Sequence, residues 1–98
     1  MLLVTARITT TPGAADTLLP AAKEMVEATR KEDGCLSYEL LASTEAPDTY
    51  VMLETWRDRA ALDAHMAAPA MAAFGAAAGA HLTGVDITLH EVSSSGPM

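Results

Sequence analysis

Residues 49–66 read TYVMLETWRDRAALDAHM, and a change of period within this stretch decides the fold. From Thr49 to Arg57 the residues are largely β-branched, aromatic or apolar, with the two-residue period of a strand. Tyr50, Met52, Glu54 and Trp56 fall on one face, and Val51, Leu53 and Thr55 on the other. Asp58 is then a good helix N-cap, because its carboxylate can accept from the free amides of a first turn. In the helix that follows, Leu62, His65 and Met66 share one face at three- and four-residue spacings. A strand that is largely apolar on both faces therefore hands over directly to a helix.

The flanking segments complete a β-α-β-β-α-β order. Leu2 to Thr10 is β-rich and unbroken, and Pro12-Gly13 ends it. Residues 14–32 repeat with a helical period: Leu18, Ala22, Met25, Val26 and Thr29 on one face, Lys23, Glu24, Glu27, Arg30 and Lys31 on the other. Pro20 predicts either a position near the first turn or a kink. Gly34 is expected to close this helix in the left-handed conformation. Cys35 to Ala42 forms the second strand, and the turn at Glu45-Ala46-Pro47-Asp48 returns the chain to the third. Pro69 interrupts the second helix. A further alanine-rich piece presents Met71, Phe74 and Ala78, and Gly79 closes it. Leu82 to Val92 is the last strand, with Val85, Ile87 and Leu89 alternating. Residues 1–92 thus form one domain, and Ser93 to Met98 a frayed polar tail.

This order predicts an α+β, ferredoxin-like split βαβ fold: a four-stranded antiparallel sheet with helices on one face. The second sheet face is also apolar and needs cover, which predicts a homodimer packed sheet on sheet. The length agrees. A chain of 98 residues is one small domain that buries only somewhat over ~60% of its unfolded surface, so an oligomer interface is a natural aid.

Charge and composition narrow the function. The net charge is −7 with no basic stripe, which speaks against nucleic acid and anionic membrane as partners. No apolar run reaches the roughly 18 residues of a membrane span. The alanine-rich stretch from Ala60 to Ala80 is broken by Asp63, His65, Pro69, Gly75 and Gly79. The single cysteine, Cys35, reads as a small buried hydrophobe in a reducing compartment, so the expected location is cytoplasmic. No phosphate loop, GxSxG, HExxH, flavin or nicotinamide signature appears, and no metal-ligand spacing does.

Candidate chemistry collects on one sheet face. If Trp56 faces the helices, the helix from Arg59 brings His65 over the same face, enclosing a mostly apolar pocket with few polar groups. Each residue also has a plainer reading. Trp56 fits a core tryptophan as well as a pocket wall, and His65 fits a satisfied helix histidine as well as a proton acceptor. Glu54 suits a cross-strand pair with Arg7 or Arg57. Tyr50 suits packing with its hydroxyl at the rim. Met52, Leu62 and Phe74 complete an apolar lining.

Four stretches, taken in order, resemble the antibiotic biosynthesis monooxygenase domain family and its quinol monooxygenase-like members. They are VTARITTTPG, RKEDGCLSYEL, YVMLETWRDRAALDAH and VDITLHEV. Nearly the whole chain is covered. The most diagnostic feature is the E-x-W strand end followed by a helix carrying a histidine, here Glu54, Trp56 and His65. The resemblance implies a dimeric α+β barrel with a pocket in each subunit. It implies oxidation of a quinol, phenolic or polyketide-like aromatic by O₂, with neither metal nor organic cofactor. His65 would take the substrate proton, Trp56 and Tyr50 would sandwich the ring, and Glu54 and Arg7 would be accessory. The aromatic-polyketide branch places an asparagine and a tyrosine where Met52 and Leu62 stand, so only Trp56 carries over from it. The functional set of the haem-degrading branch falls at Ala6, His65 and Gly75, and none is retained, which argues against haem. Two other functions fit the same barrel: an isomerase acting on a small carbonyl compound through His65, and a non-catalytic small-molecule binder.

Overall fold

The computed structural model describes residues 1–98. Strand β1 (Leu2–Thr10) leads to helix α1 (Ala15–Thr29), strands β2 (Cys35–Ala42) and β3 (Thr49–Trp56), and helices α2 (Arg59–Met66) and α3 (Pro69–Ala78). A 3₁₀ turn (Gly79–His81) then enters strand β4 (Leu82–Glu91). The sheet is antiparallel throughout, in the order β2-β3-β1-β4. This is the ferredoxin-like arrangement expected from the alternating periods.

The core lies between the helices and one sheet face. Leu2, Val4, Ala6 and Ile8 alternate inward from β1; Tyr50, Met52, Glu54 and Trp56 do so from β3. The periodic face of α1 meets them, with Leu18, Ala22, Met25, Val26 and Thr29 all buried. Pro20 lies inside α1 rather than at its first position. It is exposed, so the Asp16 carbonyl that loses its amide partner there lies on the side open to water. Asp58 caps α2 as expected: its Oδ1 accepts from the Ala61 amide at 2.9 Å.

Gly34 departs from expectation in an instructive way. Its φ of 83° is left-handed, but α1 has already ended, with Arg30 as its right-handed C-cap. Gly34 instead steers the chain into β2. Its carbonyl accepts from the Arg57 amide at 2.8 Å, and a Cβ here would collide with that of Ala61 on α2. Backbone strain and overpacking thus act together. Gly34→Ala is expected to cost about 2–4 kcal/mol in a denaturant titration; a change below about 0.5 kcal/mol would show that α2 is free to move away.

Two irregularities shape the site. Between Cys35 and Ser37 the register of β2 on β3 slips by one residue. Cys35 pairs with Trp56 and Tyr38 with Glu54, so both lie on the helix side although they are three residues apart. A regular strand would have sent Tyr38 to the opposite face. The second irregularity is at the far edge. Val85, Ile87 and Leu89 pair with Ile8, Ala6 and Val4 and so also point to the helix side. The helices do not reach over them: Ile87 keeps 59% of its surface exposed. The sheet is thus roofed at β1 and β3 and open at β4. On its opposite face Leu3, Val51 and Leu53 are only half-buried and Leu41 is exposed.

Candidate active site

The gap between α2, α3 and the open side of the sheet is a cavity of about 460 Å³, a size suited to a small organic molecule. Its floor is Val4, Ala6 and Ile8 of β1, Met52 and Glu54 of β3, and the Val85-Ile87-Leu89 stripe of β4; Tyr38 enters from β2. Leu62, His65 and Met66 of α2, with Met71 and Phe74 of α3, form the roof. Arg59 and Asp63 line it too, joined to each other by an ion pair of 2.9 Å.

His65 is the most constrained polar group of this lining. It is buried, and its Nδ1 lies 2.9 Å from Glu32 Oε1. A carboxylate accepts, so in the neutral imidazole Nδ1 carries the hydrogen and Nε2 the lone pair, while in the imidazolium both nitrogens carry one. The ring is held from two sides. Trp56 lies 4.7 Å away, centroid to centroid, tilted by 32°. Tyr38 meets it edge-on at 5.2 Å. Together these contacts fix the ring plane and the tautomer, as a proton acceptor requires.

Glu54 has a different setting. It is 5% exposed, and burial pushes its carboxyl above the usual carboxylate range. The hydrogen bond from Trp56 and the charge of His65 draw it partly back. Trp56 Nε1 donates to Glu54 Oε1 at 3.0 Å. The expected pairing of Glu54 with Arg7 or Arg57 does not occur. Arg7 is exposed on the opposite sheet face, across from Val51 and Asp86. Arg57 is bound to Asp33 and Asp58.

Of the residues singled out from sequence, His65, Glu54, Met52, Leu62 and Phe74 meet around the cavity. Trp56, Tyr50 and Arg7 do not line it. Trp56 is fully buried, at 0% exposure, because it ends β3 where α2 begins and the His65 ring stacks over it. It backs the site rather than forming a wall. Tyr50 is buried at the other end of β3, opposite Ile8. Cys35 is only partly buried, with its thiol pushed up chiefly by burial.

Two residues were missed. Glu32 closes the helical segment 14–32, and nothing local reveals a partner 33 positions away. Tyr38 was hidden by the bulge, although the spacing between Gly34 and the tyrosine was visible. Its hydroxyl points to Met25 Sδ at 3.9 Å. Burial, with the nearby Glu54 and Glu32, pushes it far up, so it stays protonated. No group of three or more His, Cys, Asp or Glu side chains comes together that could hold a metal ion, and no helix is long and apolar enough to cross a membrane.

Comparison with known proteins agrees with this architecture. Residues 1–77 match the profile of the family described as antibiotic biosynthesis monooxygenase. A Mycobacterium tuberculosis protein named "Putative monooxygenase Rv0793" is 38% identical over 80 residues, covering 82% of this chain and 78% of that one. Escherichia coli "Probable quinol monooxygenase YgiN" is 34% identical over 87 residues, covering 79% and 84%. A Synechocystis protein of no stated function is 29% identical over 68 residues, and there the match spans only 46% of the relative's length. Among solved structures, an antibiotic biosynthesis monooxygenase superposes with a TM-score of 0.89 at 36% identity, covering 96% of this chain and all of the other. With 77 of 98 residues matched and the fold shared end to end, this chain belongs to the antibiotic biosynthesis monooxygenase family.

Proposed function

We propose that the chain is a cofactor-independent monooxygenase that oxidises a quinol or related phenolic aromatic with O₂. The observation that carries this reading is His65: a single oriented proton acceptor, held by Glu32, facing a cavity otherwise lined mainly by apolar side chains. Such a lining suits a flat, weakly polar ring. The protein's task is then to bind, orient and deprotonate. Nε2 of His65 takes a phenolic proton, and the resulting anion passes an electron to O₂. The two radicals combine at the adjacent ring carbon, the proton on His65 passes to the resulting peroxide anion and frees Nε2 again, and loss of water from that hydroperoxide leaves a ketone. Overall, quinol and O₂ give hydroxyquinone and water. An isomerase acting on a phosphorylated sugar is less well served. Arg7 and Arg57 are directed elsewhere, and Arg59 is paired with Asp63.

Oxygen uptake with a panel of quinols and anthrones tests the reading, with His65→Ala as the comparison. No enzyme-dependent uptake across the panel would overturn it. The half-buried Leu3, Val51 and Leu53 on the outer sheet face support a homodimer packed sheet on sheet. The native mass at micromolar concentration is then expected to be twice the 10.2 kDa chain; a single-chain mass would exclude the dimer. A lone free thiol and net charge of −7 suit a reducing cytoplasmic setting without a nucleic-acid partner.

A further inference from the structure

Glu54 is the other buried ionisable group facing the cavity, and its two oxygens differ. Oε1 accepts from Trp56 Nε1. Oε2 has no hydrogen-bond partner in the protein, and it is not sealed in: Thr29 Oγ1 is the one buried side-chain polar atom left unpaired. Since Glu54 lines the cavity, Oε2 opens into it. The ionisable groups around it are His65 from α2 and Tyr38 and Cys35 from β2, and Arg59 and Asp63 of α2, paired with each other, line the same cavity. Its β1 neighbour is Val4, with Leu89 of β4 beyond. No lysine or arginine pairs with it. In this setting burial raises its carboxyl, so it keeps its proton to a higher pH than an exposed glutamate does. A base and an acid with opposite tasks thus share one pocket.

The chemistry proposed above leaves one proton without a source. After O₂ has added, the ring carbon carries a hydrogen and a hydroperoxide. To reach the ketone, a base removes the carbon-bound proton, the C=O bond forms, and the O–O bond breaks. The departing oxygen must gain a proton to leave as water rather than hydroxide. We infer that Glu54 is the catalytic acid of this step, donating from Oε2 to the departing oxygen while His65 Nε2 takes the proton from carbon. The step ends with a Glu54 carboxylate and a His65 imidazolium, and one proton passing from histidine to glutamate restores both. This inference rests on the monooxygenase reading and adds a second catalytic residue to it.

The test uses the full-length protein, a reduced naphthoquinone with an unsubstituted ring carbon, and parallel measurement of O₂ consumed, hydroxyquinone formed and hydrogen peroxide released. In the wild type, one O₂ yields one hydroxyquinone and little peroxide. In Glu54→Gln, kcat is expected to fall ~10²–10³-fold while KM stays within about threefold, since the binding surface is retained. Most of the O₂ still consumed should then appear as hydrogen peroxide. Without an acid the ring adduct expels peroxide and leaves the unhydroxylated quinone, so that quinol and O₂ give quinone and H₂O₂. Glu54→Asp, which keeps the acid but withdraws it by one methylene, should lose part of the coupling. It decides the question by the same readout if the glutamine variant does not fold.

The stability of Glu54→Gln relative to the wild type should depend on pH, by linkage. A carboxyl whose folded pKa lies above its ordinary 4.5 binds its proton more tightly in the folded state. That contribution is complete below the unfolded value and is lost as pH rises through the folded one. Glutamine does not titrate, so the melting point of the variant should gain on the wild type as pH rises from about 4 toward 8. Coupled turnover within threefold of wild type in Glu54→Gln would overturn the inference and leave the monooxygenase reading standing. A wild type that consumes no O₂ with any quinol would remove both.

Discussion

Oxygen uptake by His65→Ala is expected to fall ~10²–10⁴-fold, the range for loss of a positioned general base. The geometry makes this the largest effect on activity in the molecule. His65 alone combines an orienting carboxylate at 2.9 Å, aromatic rings at 4.7 and 5.2 Å, and a place in the cavity lining. Tyr38 cannot replace it, because burial holds the phenol protonated. Glu54 has no second group orienting it as Glu32 orients His65; its one hydrogen bond is from Trp56. Glu32→Gln should act more mildly, by about tenfold, because a side-chain amide can still accept from Nδ1 while the negative charge that supports an imidazolium is gone. The pair separates base from orienter. Should His65→Ala consume O₂ at the wild-type rate, an oxygenase would remain but His65 would leave its mechanism.

Trp56→Ala is expected to be the most damaging substitution for stability, at about 3–5 kcal/mol. In a domain of this size that lowers the melting point by at least about 12 °C. Trp56 is fully buried, packs edge-on to Tyr38 at 6.3 Å, stacks near His65, and gives its indole hydrogen to Glu54. Truncation leaves a cavity and strips Glu54 of its one protein partner. Trp56→Phe isolates the second effect, since it keeps a ring beneath His65 and removes only the indole N–H. That variant should fold and should hold the Glu54 carboxyl still further up, because the hydrogen bond that lowers it is lost. A Trp56→Ala protein melting within about 3 °C of wild type would mean that the surroundings collapse into the space.

Much of the fold was legible in the chain itself, for a local reason. Period and caps depend on residues a few positions apart, so the alternation of Tyr50, Met52, Glu54 and Trp56, the buried face of α1 and the Asp58 cap could all be read before any contact was known. The same logic placed His65, Met52, Leu62 and Phe74 over one sheet face. It misread Gly34 as a helix cap, because a left-handed residue looks alike whether it ends a helix or opens a strand.

The composition of the site was decided in three dimensions. A one-residue bulge at the start of β2 turned Tyr38 inward, and period-two reasoning cannot see a bulge. Glu32 reached His65 across 33 residues, a pairing set by where α1 ends relative to α2. Trp56, on the right face, proved to stand behind the histidine instead of beside the ligand space, because parity gives a direction and says nothing of what already fills it. The sequence by itself determined the order of elements, the inward face and the candidate base, all consequences of neighbours along the chain. Only the tertiary structure decided which carboxylate orients that base, which opens to the cavity, and where the cavity lies, because these depend on groups that meet only when distant segments pack.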